Sequence, residues 1–452
     1  MTDRNKNRLI IIIAGMGMLL STLDMGIINV ALPFLQNKFH TSTSWIALSV
    51  IGYTMSLAIF ILPFGYLSDR YGKLKVSFIG LLIFGVGSIL CGISSDILSL
   101  ILFRICQGIG AAALQATSAA LITTLMDRKY ITNALGILGI MIGLGPVLGP
   151  SIGGFFLSVN LWRLIFWINV PFAAIGLICN YILIKNVTEH LTTVSFDLIG
   201  SLMNMLMVIF LLSGLSMLSN QHNFIFSILM IIIGLILGLY FYVFESKQSN
   251  PLINFKLLKD SSGSWLYLSQ TIIFGFSSAM IFLLPPFIFG KLMGFDSGLT
   301  GVLILGAPVG LVIFSKISGK INDGSQNKRF SLLGLIIIAL SLVGLLCFNP
   351  QWPAVWLTIL LFIYGVGGGY FQPANIAIIM QIGHKSDQAS IGSLQRMIQN
   401  IAIASGTAIG STIMSRFANT LDMSIKINWS IALILVTIVI LLSISYHKTF
   451  TL

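Results

Sequence analysis

Asp24 stands inside the first long apolar run of the chain, within Leu23-Asp24-Met25-Gly26-Ile27-Ile28-Asn29. A lone carboxylate at membrane depth costs roughly 2.5–3.5 kcal/mol on insertion scales, so such a residue faces a bundle interior or a watery cavity and generally has a task. Arg104 is the matching cation. At ~1.5 Å per helical residue, Asp24 lies ~12 Å below one end of the first run and Arg104 ~9 Å below the same end of the fourth. Burying the two as neighbours is far cheaper than burying either alone. They are therefore expected to meet, directly or through Gln107 or a water. The plain reading is a permanent ion pair that fixes helix register. The chemical reading is proton coupling: a nearby cation favours the charged carboxylate and desolvation favours the neutral one. A cavity that alternates between wet and dry, or between empty and holding a cationic ligand, would change the proton affinity of a carboxylate placed beside it.

Other polar residues in apolar runs could extend such a site. Asn29, Gln107 and Gln115 are cavity candidates in the first half, and Tyr364, Gln372 and Asn375 in the second. Arg396, Gln399 and Asn400 share one helical face at i, i+3, i+4. Arg396 has no acid at matching depth and is expected to snorkel or to bond carbonyls. Gly145, Pro146, Gly149, Pro150, Gly153 and Gly154 leave one face of a helix as bare backbone, with two prolines to bend it. This permits close helix approach, and it could also seal a pathway on one side. Gly65, Asp69, Arg70 and Gly72 lie at a predicted helix end. That end is either a solvated turn or a gate, with Asp69 stabilised by a helix N-terminus of the other half.

The elements that must position these residues are membrane helices. Of 452 residues 56% are hydrophobic and 8% charged, against about 25% charged in soluble domains. The apolar runs are continuous, which favours helices over the alternating strands of a barrel. Fourteen spans are expected. The first run is too long for a signal peptide and more spans follow, so no cleavable leader is expected. The net charge of +12 is a topology signal rather than a nucleic-acid one. With the N-terminus inside, only Lys38, Arg163, Lys291, Arg416 and Lys426 fall outside, while Arg104 and Arg396 lie within spans. Nearly all the other basic residues are cytoplasmic, and an even span count places both termini there. Cys91, Cys106, Cys179 and Cys347 read as buried hydrophobes, and the five histidines fall at loops or ends. No metal and no cofactor is expected.

Gly65-Tyr66-Leu67-Ser68-Asp69-Arg70 after span 2 has an echo in Gly319-Lys320-Ile321-Asn322-Asp323-Gly324 after span 10. Repeated halves are a transporter signature, because rocking one against the other gives alternating access. The expected units are a six-helix bundle over 1–185, two inserted helices over 186–245 and a second six-helix bundle over 246–452.

Together these stretches resemble the major facilitator superfamily, and within it the fourteen-span drug:proton antiporters, the QacA-like multidrug efflux pumps. Leu23 to Pro33 is similar to the first-helix motif of that family, with Gly26 at the usual Thr. Gly65 to Lys75 is similar to its cytoplasmic loop motif, Arg104 to Gly108 to its span-4 motif, and Gly145 to Gly154 to its antiporter motif. Trp162-Arg163, Asn169-Val170-Pro171, Asp197 to Gly200 and Pro251-Leu252 also match. The resemblance implies that Asp24 carries the proton and the substrate charge, that Arg104 is its partner, that Asp69 belongs to the gate, and that Gly145 to Gly154 form the antiport helix. Relatives that accept divalent cations carry further acids in the second half. Here all acids but Asp24 fall at or near predicted loops or helix ends. The expected cargo is therefore a small neutral, zwitterionic or monocationic amphiphile. The expected partners are protons and the lipid bilayer of a bacterial cell membrane, the protein working as a monomer. Two other readings are a proton-coupled importer of a nutrient or osmolyte and an integral membrane enzyme. The scattered histidines and acids speak against the enzyme.

Overall fold

The structure is a computed structural model that describes residues 3–126, 128–189, 191, 197–218, 223–248, 251–253, 255, 263–322, 325–381 and 388–450. These form helices α1 (Asp3–Lys38), α2 (Thr43–Tyr71), α3 (Lys73–Ile93), α4 (Ile97–Leu125), α5 (Arg128–Ser158), α6 (Leu164–Trp167), α7 (Asn169–Asn186), α8 (Leu198–Met217) and α9 (Phe224–Glu245). After the linker come α10 (Ser264–Phe287), α11 (Ser297–Leu303), α12 (Gly306–Ile321), α13 (Asn327–Cys347), α14 (Ala354–Met380), α15 (Gln388–Arg416) and α16 (Leu421–Phe450). Among the described residues there is no strand, as hydrocarbon demands of an open chain that must satisfy its own backbone groups. Among the described residues, twelve helices or helix pairs are long and apolar enough to cross a membrane. The two other long helices are α5, whose described apolar part is Leu144–Ser158, and α15, which carries Gln395, Arg396, Gln399 and Asn400.

The acids that sequence reading puts at loops and ends do local work there. Asp96, Asp197 and Asp296 begin α4, α8 and α11, their carboxylates accepting from Ser99, Gly200 and Leu299 N–H at 2.9, 2.8 and 2.9 Å. A carboxylate is at home there because the first turn leaves N–H groups without helical partners. The Ser99 N–H holds the Asp96 carboxyl below the usual range.

Two ends of the bundle can be told apart. At one, Ile10, Leu74, Ile122 and Leu183 pack together, and Tyr446 near the C-terminus stacks on Trp265 at the start of α10. The start of α1 and the end of α16 are therefore at the same end, the terminal end. At the far end Lys291 donates to Gln36 at 2.9 Å, and Ser44 and Ser415 share a hydrogen bond of 2.7 Å. There one apolar core unites the halves, with Ile28, Leu32 and Leu35 of α1 beside Leu284, Phe287 and Ile304. Toward the terminal end this core divides. Tyr267, Ile379 and Ile391 form a cluster separate from that around Ile10.

The halves meet along two seams. α2 follows α15 from Ser44–Ser415 through Ala58 and Ala404 to Leu62 and Leu394. α5 meets α11 at the far end, where a Cβ on Gly154 would lie 2.6 Å from the Ser297 carbonyl oxygen. The pair α8–α9 lies over the first seam, Val208 and Leu212 packing with Ala58 and Ala404. α8 and α9 touch through small residues, a Cβ on Gly234 meeting Leu211 N at 2.8 Å. The outer face of α9 is apolar and bare, with Ile225 76% and Leu239 69% exposed, as a lipid-facing helix should be.

Candidate functional site: a buried ion pair beside a central cavity

The structure brings Asp24 and Arg104 together in the first half. Arg104 Nη1 donates to Asp24 Oδ2, and the two side chains are 0% and 2% exposed respectively. Gln107, one turn on along α4, donates from Nε2 to Asp24 Oδ1 at 2.9 Å and to Ser88 Oγ at 2.9 Å, while its Oε1 accepts from Arg104 at 2.7 Å. Asn169, at the start of α7, donates to the same Asp24 Oδ1 at 3.1 Å. The guanidinium lies over the Tyr53 ring at 4.2 Å, and its Nε reaches the Ser49 carbonyl at 3.4 Å. Three donors thus converge on one carboxylate from α4 and α7. Arg104 Nη2 and Asn169 Oδ1 are buried with no protein partner, so the cluster is closed around the carboxylate and incomplete at its margin. Breaking such a pair by removing one charge costs about 3–5 kcal/mol, because it strands the other.

A cavity of about 220 Å³ lies next to this cluster, between the halves. Thr22, Met25, Gly26 and Asn29 of α1, Gln115 of α4 and Pro146 of α5 line it from the first half. Phe274, Ser278 and Phe282 of α10, Gln372 of α14 and Arg396, Gln399, Asn400 and Thr407 of α15 line it from the second. Of the sequence-named cavity candidates, Asn29, Gln115, Gln372, Arg396, Gln399 and Asn400 share this space. Three do not, and each is held within its own half. Gln107 is spent on Asp24. Tyr364 shares a hydrogen bond of 2.6 Å with Ser277. Asn375 accepts from Thr271 at 2.8 Å and donates to Gln270 at 3.0 Å. Asp24 and Arg104 are not lining residues either. They sit one layer behind the wall that α1 presents.

α5 touches α1 through bare backbone. A Cβ on Gly145 would lie 2.6 Å from Leu23 N, on Gly149 2.8 Å from Gly26 Cα, and on Gly153 3.1 Å from the Ile27 carbonyl. Position 26 is part of the same contact, since a Cβ there would meet the Gly145 carbonyl oxygen at 3.0 Å. Gly26 in place of a larger residue thus fits the spacing of these two helices. Pro146 and Pro150 lie within α5. At the terminal end Asp69 pairs with Lys73 at 2.8 Å, Arg70 lies over Tyr71 at 5.6 Å, and Gly65 faces Ser393 of α15. Gly72 takes a φ of 106°, and Glu189 caps the helix that follows by accepting from Lys73 N at 2.6 Å and Leu74 N at 3.0 Å. In the echo of this loop, Asp323 and Gly324 lie outside the described residues.

A family model described as Major Facilitator Superfamily matches residues 14–407. The chain belongs to that superfamily. This facilitator is 29% identical to the riboflavin transporter RibZ of Clostridioides difficile (strain 630), over 90% of this chain and 88% of that one. It is 28% identical to the multidrug resistance protein Stp of Mycobacterium tuberculosis (strain CDC 1551 / Oshkosh), over 76% of this chain and 64% of that one. Among solved structures, a POT family transporter crystallised with 5-aminolevulinic acid aligns at TM-score 0.73 and 13% identity, over 97% of this chain and 96% of that one. The last likeness is one of fold.

Sequence reading of this facilitator does not assign three residues to the charge cluster that belong to it: Asn169, Tyr53 and Ser88. Asn169 had a signal, since Asn169-Val170-Pro171 stands out at the head of a span. Tyr53 and Ser88 had none, each being one of many moderately polar residues in an apolar helix.

Proposed function

We propose that the chain is a proton-coupled exporter, a drug:proton antiporter that extrudes small amphiphilic compounds by alternating access. One observation carries this reading: α1 both borders the cavity, through Thr22, Met25 and Gly26, and holds Asp24 against Arg104 behind it. Cargo that displaces α1 disturbs the ion pair, and a proton on Asp24 frees Arg104 from its counter-charge. Cargo occupancy and protonation then act on the same helix, which is the linkage an exchanger requires. The bare α1–α5 contact lets α1 shift without side chains locking it.

In this reading fourteen helices cross the bilayer, α5 and α15 included, in units 1–185, 186–245 and 246–452. The terminal end faces the cytoplasm of a bacterial cell, by the distribution of Lys and Arg. The halves share one apolar core at the far end and, away from the α2–α15 seam, hold separate clusters toward the termini, an arrangement suited to loading from the cytoplasm. A single chain suffices. The relative named for multidrug resistance supports export.

The test is substrate addition to everted vesicles under an imposed pH gradient, with amphiphilic dyes of either charge. Wild type should dissipate the gradient and Asp24→Asn, inserted at equal level, should not. A mutant that exchanges as well as wild type leaves Asp24 a structural ion-pair member and ends this assignment. The relative named a riboflavin transporter favours a second reading, a proton-coupled importer of a nutrient on the same fold. Gradient-coupled movement in the uptake direction alone would select it.

A further inference from the structure

The central cavity carries one formal charge among its described lining residues, and it is positive. Arg396 is the only ionisable side chain of that wall. The ion pairs among the described residues join Lys73 to Asp69, Arg104 to Asp24 and Lys426 to Asp422, so none of them neutralises Arg396. Asp24 cannot do so from its place, since it is buried and held by Arg104, Gln107 and Asn169. One helical turn from Arg396, Asn400 also lines the cavity, and its Nδ2 is buried without a partner. Gln399 and Gln372 stand on the same wall. A guanidinium and an unspent amide donor thus border a space whose remaining surface is largely apolar, with Phe274 and Phe282 on the neighbouring helix.

We propose that Arg396 and Asn400 bind the anionic head group, a carboxylate or a like oxyacid, of a small apolar substrate whose body lies against Phe274 and Phe282. A cation in a membrane-embedded wall is costly without a counter-charge. A carboxylate brought by the substrate supplies it through charge-assisted hydrogen bonds, which bind more strongly than neutral ones and suit the planar guanidinium. A monocation would meet an uncompensated like charge instead. Within the range expected from sequence, this site therefore excludes monocations and requires an anionic group, alone or in a zwitterion. A volume of about 220 Å³ with a largely apolar lining suits a compound of one or two fused rings with a head group. The assignment rests on reading the cavity as the cargo site, and deepens that reading.

The experiment is calorimetric titration of the purified full-length protein in nonionic detergent with 2-naphthoate, 2-naphthamide and 2-naphthylmethylammonium, which share one ring body. Naphthoate should bind about tenfold tighter than the amide, the effect of one good charged hydrogen bond, and the ammonium weakest. Arg396→Gln should erase the difference between acid and amide while leaving the affinity for the amide within about twofold, which also reports that the variant is folded. Arg396→Lys should keep part of the preference. Naphthoate that binds no better than the amide, or a preference that survives in Arg396→Gln, overturns the proposal. Displacement of naphthoate by phosphatidylglycerol and not by phosphatidylcholine overturns the assignment to a small substrate in favour of a lipid. Binding needs no gradient. Failure of the vesicle assay with this selectivity intact would therefore strike the exporter reading and leave the anion site standing.

Discussion

In each half of the molecule, side chain–side chain hydrogen bonds of a buried polar network tie four helices together, and the two networks use corresponding helices. In the first half they are the first, third, fourth and sixth crossings: Asp24 on α1, Ser88 on α3, Arg104 and Gln107 on α4, Asn169 on α7. In the second half the same four positions are filled by Gln270 and Thr271 on α10, Ser331 on α13, Asn375 on α14 and Ser443 on α16. Gln270 accepts from Ser331 at 2.8 Å and donates to Ser443 at 3.0 Å. Asn375 bridges Gln270 and Thr271. The first network contains an acid and a base, while the second is neutral throughout. A neutral network can fix helix register but cannot change its charge. Only the first can answer to a proton. The difference separates two jobs that a buried polar cluster can do, and it places the buried charged pair in one half.

That comparison can be broken by substitution. The largest effect is expected from Asp24→Asn, which strands Arg104 and should cost about 3–5 kcal/mol in thermal or denaturant unfolding as well as coupling. The double variant Asp24→Asn/Arg104→Gln should recover most of that stability and none of the coupling. Recovery of both would make the charged network as purely structural as the neutral one. Next, Asn375→Leu leaves the Gln270 and Thr271 side chains short of partners and should cost about 1–3 kcal/mol, with gradient-driven exchange retained per folded molecule. Loss of exchange in a folded Asn375→Leu protein would erase the division of labour between halves.

A second pair of counterparts is α5 and α15, the fifth long helix of each half. One shows bare glycine to its neighbour, and the other shows Arg396 and Asn400 to the cavity. Gly149→Leu should overpack the α1–α5 contact, at about 1–3 kcal/mol and with slowed exchange. An exchange rate equal to wild type would make that contact mere filling. The smallest effect is expected from Asp96→Ala, which removes the start of α4 at the far end. The Asp96 carboxyl sits below its usual range, so its contribution is present above the ordinary carboxylate pKa and fades as pH falls through its lowered value. The variant should therefore lose a little stability at neutral pH, lose nothing once the medium is acid enough to protonate the wild-type residue, and keep full exchange. Melting curves across pH would show it.

What could be read from sequence here follows from helix geometry. Depth along a helix is a matter of counting, and counting places Asp24 and Arg104 at one level before any contact is known. Rotation about the helix axis is different. Where nearly every face is apolar, no periodicity marks the inward one. Tyr364 and Asn375 accordingly looked like cavity residues, yet they turn into the core of their own half, while Gln372, three residues before Asn375, faces the space. Asn169 was hidden for another reason. It opens α7 just after the short α6, where sequence suggests only the edge of a span. The all-helical class was plain because hydrocarbon permits little else to so apolar a chain. α15 is the least apolar of the long helices in part because it lends polar residues to the cavity.

The seam between α2 and α15 runs from Ser44 and Ser415 at the far end to Leu62 and Leu394 toward the other, and α8 lies across its outer side. In the alternating-access cycle proposed above, such a seam would act as the spine of a book, with α8 and α9 as tape along its back. The covers can part only on the opposite edge, where α5 and α11 meet at the far end. Distances between α4 and α12 at the terminal end should therefore change with substrate and proton, while those between α2 and α15 should not. Lipid touching the bare face of α9 would then see a still surface through the whole cycle. In that cycle a compound arriving from within the bilayer would find its doorway on the side turned away from α8 and α9.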